Sequence, residues 1–228
     1  INAEQFGVPQ ARKRVIIMGV RNDLLSAGIR PGLLVRSSEI TAGQVLTGMP
    51  CLRSGVSKIR GKSIRDTEQA WKKEICKGWN GIRGPIKDKA VKAKIFNEYI
   101  PKIQDLELSR GGEFLEWENY SDDFDESLPT ALKNLLHDPR LSGYGNSATR
   151  SHMDSDLKRY LFNAVFTEVK GKPPLLDDYP ERLLPDHKNV KTGKYKDRFR
   201  TINSDKPSKT ITSHIAKDGH AFIHYDPL

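Results

Sequence analysis

The chain has 228 residues, of which 36% are hydrophobic, and a mean hydropathy of −0.60, enough to bury the core of one large domain or two small ones. With 38 Lys and Arg against 29 Asp and Glu, its net charge is +9 and its pI near 9.5, so polyanions, nucleic acid first, lead the partner classes through Coulomb attraction and counterion release. No apolar run reaches the ~20 residues that cross a bilayer and no secretory leader pattern is present, while only two cysteines, Cys51 and Cys76, exclude a disulfide scaffold and fit a reducing, intracellular compartment.

In chain order, the first signal is residues 6–21, FGVPQARKRVIIMGVR. A Gly-Val-Pro turn leads into Gln10, Arg12, Lys13 and Arg14. The apolar run Val15, Ile16, Ile17, Met18 and Val20 then predicts a buried strand over 13–20. In extended chain, residues i and i+2 share a side, so Arg12 and Arg14 can reach one anion with Lys13 turned away. Charge pattern alone reads the same cluster as a solvated strand end that blunts an edge. Punctuation by Gly28, Pro31, Gly32 and Pro50 predicts mostly irregular chain over 22–66, with one short helix near 41–47. Thr67 is placed to N-cap a helix through about Cys76. Ile86, Ala90, Ala93 and Phe96 recur at helical spacing and predict a helix over 86–99; two more fall at 127–136 and 154–169. In the last, Leu157, Tyr160, Leu161, Ala164, Val165 and Glu168 share a face. Arg150 and His152 precede this helix, which Asp154 would cap and which carries Lys158 and Arg159; the group reads as a phosphate clamp or as a solvated cap.

The C-terminal part is extended. Residues 197–203 alternate, with Arg198 and Arg200 on one side and Phe199 and Thr201 on the other. After Pro207, SKTITSHIAKDGHAFIHY reads as a β-hairpin turning at Asp218-Gly219. Its polar side, with Lys209, Thr210, Thr212, Ser213, His214 and Lys217, offers short or rotatable hydrogen-bonders and cations suited to base edges and phosphates. Strand propensity of threonine is the competing account. Basic blocks at 53–94 and 182–217 flank an acidic stretch, 105–126, which reads as a solvated connector facing away from a polyanion. His214, His220 and His224 lie close in sequence, but the hairpin splits them between faces, so no metal site is expected.

The string NAEQFGVPQARKRVIIMGVR resembles the eighth ordered motif of DNA cytosine-5 methyltransferases. Asn2, Ala3, Phe6, Gly7, Val8, Pro9, Gln10, Arg12 and Arg14 all stand at its pattern positions. The stretch DRFRTINSDKPSKTITSHIAKDGHAFIHYDP is similar to the end of the target-recognition region of these enzymes, although the Thr-Leu pair of many relatives is here Thr212-Ser213. The resemblance implies that Gln10 and Arg12 hold DNA phosphate and order the active site, and that Arg14 points at O2 of a flipped-out cytosine. An always-charged, bidentate donor suits both tasks. Recognition would fall to Arg198, Arg200, Lys209, Thr210, Thr212, Ser213, His214 and Lys217.

Pro50-Cys51 imitates the family's nucleophile dipeptide. In the family, however, that dipeptide precedes the Gln-x-Arg-x-Arg motif, carries Gln or Asn after Cys, and is followed by Glu-Asn-Val. Cys51 is therefore read as a buried structural cysteine. The Phe-x-Gly-x-Gly loop that binds S-adenosylmethionine is also missing. The expectation is an α+β chain, the C-terminal portion of a longer cytosine-5 methyltransferase beginning at Ile1 and stopping just before the ninth motif. Residues 1–25 would be the last, edge strand of a Rossmann-like catalytic sheet, and 26–228 a small mixed target-recognition domain of helices and a C-terminal β-hairpin. The implied partners are double-stranded DNA and the N-terminal catalytic part, with dimerisation through the exposed strand left open. The implied cofactor is S-adenosylmethionine bound outside this chain, with no metal and no membrane. The implied setting is the prokaryotic cytoplasm, at the nucleoid, in restriction-modification or otherwise. The rival reading is a stand-alone basic DNA-binding or interaction module.

Overall fold

The computed structural model describes residues 1–59, 62–116, 127–138, 140–186, 199–210, 220 and 222–227. Among these, helices and short strands mix in an α+β arrangement. The strands are β1 (Gln10–Ala11), β2 (Gly55–Ile59), β3 (Lys62–Ser63), β4 (Phe114–Glu116), β5 (Gly143–Gly145), β6 (Ser151–Met153) and β7 (Ser208–Lys209). The helices are α1 (Asn22–Ser26), α2 (Ala42–Leu46), α3 (Glu68–Lys77), α4 (Lys89–Lys94), α5 (Ile100–Asp105), α6 (Thr130–Leu136) and α7 (Asp154–Lys170). Among the described residues the strands build three small sheets: β1-β7 parallel, β3-β2-β6 mixed, and β4-β5 antiparallel.

At the N-terminus a 3-10 turn, Ala3–Phe6, stops at Gly7, whose φ of 75° is left-handed. Glycine takes that conformation without a Cβ clash, and a Cβ there would also meet the Ser37 hydroxyl at 3.0 Å. The reversal sets residues 1–3 antiparallel to 12–14, with the Ala3 amide donating to the Arg12 carbonyl and the Arg14 amide to the Ile1 carbonyl, each at 2.9 Å.

The buried strand expected over 13–20 does not form. Val15, Ile16, Ile17 and Met18 are exposed, Val15 by 87% and Ile17 by 91%. An all-apolar strand needs a sheet neighbour on each edge and layers on both faces. The described residues supply neither beyond Arg14, so this part of the sequence is unsatisfied in the fold.

The helix signals fare better. Thr41 and Gln44 form a capping box on α2, the Gln44 amide donating to Thr41 Oγ1 at 3.2 Å and the Thr41 amide to Gln44 Oε1 at 2.8 Å. Thr67 caps α3 by accepting from the Ala70 amide. The helix expected over 86–99 starts later, at Asp88, whose carboxylate accepts from Ala90 and Val91, and runs on through a wide π turn, Ile95–Tyr99, into α5. Pro101 explains the widening: it has no amide to return to Asn97, and the Ile100 amide reaches five residues back to Ile95. Over 22–66 the β2-β3 pair was not foreseen, because its residues lack a clear period-2 pattern.

The core is one cluster running in sequence from Val56 to Ile223, with Trp71, Ile75, Ile103, Leu161 and Phe162 among its members. Helix α7 lies at its centre and is buried well beyond the single face expected, with Phe162, Asn163 and Phe166 enclosed alongside Leu157, Leu161, Ala164 and Val165. Asp154 is not its cap: Met153 holds that position and no side chain caps the first turn. Lys158 and Arg159 form no phosphate clamp. Both are buried, Lys158 near Glu74 and Asp154, and Arg159 on Asp156 at 2.5 Å and on the Leu183 and Leu184 carbonyls. Cys51, expected buried, is exposed; Cys76 is the buried one, its thiol pushed up to about 11 chiefly by burial.

Candidate nucleic-acid interface

Strand β7 approaches β1 across almost the whole chain. Gln10 pairs with Ser208 and Ala11 with Lys209, the Ser208 amide donates to the Pro9 carbonyl at 3.1 Å, and Thr210 Oγ1 donates to the Ala11 carbonyl at 3.3 Å. Arg12, next along, is half-buried; its amide donates to Glu4 Oε2 at 3.2 Å. Lys13 and Arg14 are exposed, and Arg14 Nη1 donates to the Lys13 carbonyl at 2.6 Å. Helix α2 holds the turn before β7 from the other side. The Ala42 amide donates to the Lys206 carbonyl and the Gly43 amide to the Ser204 carbonyl, both at 2.9 Å. A Cβ on Gly43 would meet that Ser204 oxygen at 2.8 Å, so a glycine is required for the approach.

Residues 199–202 are tied to the core in turn. Asn163 on α7 is fully buried. Its Nδ2 donates to the Tyr179 hydroxyl and to the Phe199 carbonyl (3.1 Å), and its Oδ1 accepts from Thr201 Oγ1 at 2.6 Å. Burial raises the Tyr179 phenol well above its ordinary range, so it stays a neutral partner. Phe199 and Thr201 face the core and Arg200 is half-buried, which is the alternation the sequence predicts. Thr201 also pairs with Ile223 in a parallel bridge: the Arg200 amide donates to the His220 carbonyl and the Ile223 amide to the Arg200 carbonyl. Between this segment and Pro173–Leu175 lies a pocket of about 320 Å³ that Arg200 and Lys209 both line.

Gln10, Arg12, Lys209 and Thr210, expected from two distant stretches, thus converge on one small parallel sheet. Arg14 lies just beyond it, and Arg200 borders the neighbouring pocket. Arg198, Thr212, Ser213, His214, Lys217 and the expected hairpin turn lie outside the described residues.

Two groups escaped the sequence reading as groups. Asp66 accepts from Arg53 at 3.0 and 3.1 Å, from the Val56 amide at 2.8 Å and from Arg110 at 3.4 Å. Burial works against its charge, yet these donors hold its carboxyl below the usual range. Tyr160 places its hydroxyl 2.7 Å from His220 Nδ1 and 3.4 Å from His152 Nδ1. His152 was visible as a candidate, but nothing local in sequence links it to His220. Among the described residues no group of three or more His, Cys, Asp and Glu could hold a metal ion, and no helix is long and apolar enough to cross a membrane.

Residues 1–83 match the family model of the C-5 cytosine-specific DNA methylases. The match takes in β1, α1, α2, the β2-β3 pair and α3. No curated protein and no solved structure matches the chain.

Methylases of this family use S-adenosylmethionine, and the residues in hand do not fit it. Among the described residues, the crossings from β3 to α3 and from β6 to α7 carry no glycine, and Gly19, in the crossing from β1 to α1, is exposed with no atom within 4 Å of where its Cβ would stand, so none of the three gives the close backbone cradle that such a ligand needs at a strand-to-helix turn. No step through the cofactor is assigned to this chain.

Proposed function

We propose that the chain is the DNA-reading part of a cytosine-5 methyltransferase, and that it contacts duplex DNA and the target cytosine without methylating by itself. The observation that carries this reading is the β1-β7 pairing, which sets Gln10 and Arg12 of the family-matched segment beside Lys209 and Thr210 of the C-terminal stretch. A protein that must order a flipped base while reading its flanks needs its phosphate-holding and base-reading groups on one rigid platform, and hydrogen-bonded strands supply one. In this reading Gln10 and Arg12 hold phosphate, and Arg14 faces the cytosine carbonyl. Arg198, Arg200, Lys209, Thr210, Thr212, Ser213, His214 and Lys217 contact bases and backbone. Residues 1–25 belong with the catalytic sheet, and 26–228 form the recognition domain.

The test is binding of the chain to duplex DNA across a salt series. A steep salt slope is expected, reduced by about one unit in each of Arg12→Ala and Lys209→Ala. Thr212→Ala should relax sequence preference at otherwise similar salt dependence. Absent or salt-independent binding would remove the recognition role. A genomic neighbourhood with no Pro-Cys-Gln segment and no S-adenosylmethionine loop upstream would leave the stand-alone DNA-binding module as the reading.

A further inference from the structure

The larger cleft, of about 990 Å³ beside His152, Tyr160 and His220, is lined by Arg53, Arg150 and Asp226 alike, so its charge selects no ligand. The smaller pocket, of about 320 Å³ next to β7, is of one sign. Cavities that hold small organic ligands run from about 300 to 1,000 Å³ and are mostly apolar with a few placed polar groups; this one has that make-up at the lower end of the range. Its inner surface is Phe199, Pro174, Ile202 and Phe222, the first two buried. Both walls are fixed by the fold. Phe199 and Thr201 are held through Asn163, and on the facing side the Leu175 amide donates to Asp178 Oδ2 at 2.8 Å while Leu176 is buried. Pro173, Pro174 and Pro207 line the pocket as well, and each locks its own φ.

The charged side chains at the pocket are Arg200, Lys206 and Lys209, and among the described residues no Asp or Glu lines it. Arg200 is half-buried and engaged within the protein. Lys206 and Lys209 are exposed and in no ion pair with a described residue. The acids nearest in sequence, Asp177, Asp178 and Asp205, lie outside the lining; Asp178 accepts from the Leu175 amide and Asp205 from the Ser204 hydroxyl at 3.0 Å. An interior of phenyl and proline rings that opens past two ammonium groups fits a flat apolar ring bearing a negative charge. We propose that this pocket binds an aromatic carboxylate of one or two rings, its ring over Phe199 and Pro174 and its carboxylate on Lys206 and Lys209. Lys209 also belongs to the β1-β7 sheet, so the bound acid withdraws that cation from DNA. The binding is independent of the DNA-reading function, and only the antagonism rests on it.

Calorimetric titration of the native full chain with cinnamate tests the binding, with cinnamyl alcohol as the uncharged ring and acetate as the charge without a ring. Cinnamate should saturate a single site. The alcohol should bind about tenfold more weakly, and acetate not measurably. Lys206→Ala and Lys209→Ala should each weaken cinnamate about threefold, and Leu175→Glu, which sets a carboxylate at the mouth, at least as much. All three positions are exposed, so these variants keep the fold. Val15→Lys with Ile17→Lys should leave the binding unchanged; if it abolishes binding, cinnamate adsorbs on the exposed apolar strip and the proposal is overturned. Equal binding of the alcohol, or unchanged affinity in both lysine variants and in Leu175→Glu, overturns it too. Duplex affinity with and without saturating cinnamate reads the antagonism. A loss of about threefold in the native chain and none in Lys209→Ala is expected; an unchanged duplex affinity rejects the antagonism. A chain that binds no duplex loses the recognition role and the antagonism together, while the cinnamate series still decides the pocket.

Discussion

Asn163 has more depending on it than any other single side chain near the interface. Fully enclosed on α7, it satisfies the Tyr179 hydroxyl, the Phe199 carbonyl and the Thr201 hydroxyl together. Asn163→Ala leaves these groups buried with fewer partners, and the expected loss is about 2 to 3 kcal/mol in chemical denaturation, with residues 199–202 loosened from the core. His152 sets a pH dependence. Burial, its largest influence, depresses its pKa below the ordinary 6.5, Asp156 opposes that shift, and His220 and Arg150 add to it. Because the unfolded chain then binds the proton more readily, the stabilisation from neutral His152 is complete above about pH 6.5 and falls away as pH drops toward the depressed folded value. Denaturation midpoints taken through this window should decline with acid in the native chain and flatten in His152→Gln. An equal slope in both would reject the assignment.

At the scale of elements, local signals were legible where one short stretch carries all the chemistry. Thr41 with Gln44, Thr67 and Asp88 each satisfy helix amides within four residues, so capping residues and apolar spacing suffice to place α2, α3 and α4 to within a few residues. Strands were harder. β1 and β7 have two residues each and exist only because their partner lies about 200 positions away, and β6 is a strand because β2 runs beside it. The strip Val15–Met18 shows the converse case, with a strong strand pattern and no ladder to join. A bare apolar strip of this kind drives association. The chain should therefore sediment with concentration-dependent weight, and Val15→Lys with Ile17→Lys should return it toward monomer. A wild-type chain that stays monomeric over the same range would show the strip to be covered some other way.

For the molecule as a whole, charge distribution matters more than its sum. The net +9 pointed to a polyanion, but several of the cations that suggested a contact serve the fold: Lys158 and Arg159 are buried in ion pairs, and Arg53 is bound to Asp66. Burying them unpaired would be costly, so they come with carboxylates or carbonyls and add little to an external field. The cations left at the β1-β7 sheet, Lys13, Arg14 and Lys209, are exposed. The salt slope of DNA binding should track them and not the buried set, which the Lys209→Ala comparison measures directly.

By itself the sequence pointed to a polyanion as partner class, placed α2, α3, α4 and α7 to within a few residues while missing α1, and carried the family likeness of residues 2–14, because charge, capping and a dense local motif need no knowledge of the rest of the chain. It also singled out both Gln10 to Arg14 and the Lys209-Thr210 stretch, from charge and hydrogen-bonding pattern together with the likeness. Only the tertiary structure decided that these two stretches share a sheet, that Lys158 and Arg159 belong to the interior, that Cys51 is exposed, and that His152, Tyr160 and His220 meet at a cleft. Each of these depends on which distant residues come within a few ångströms, and that follows from how the core closes around α7 rather than from any period or motif along the chain.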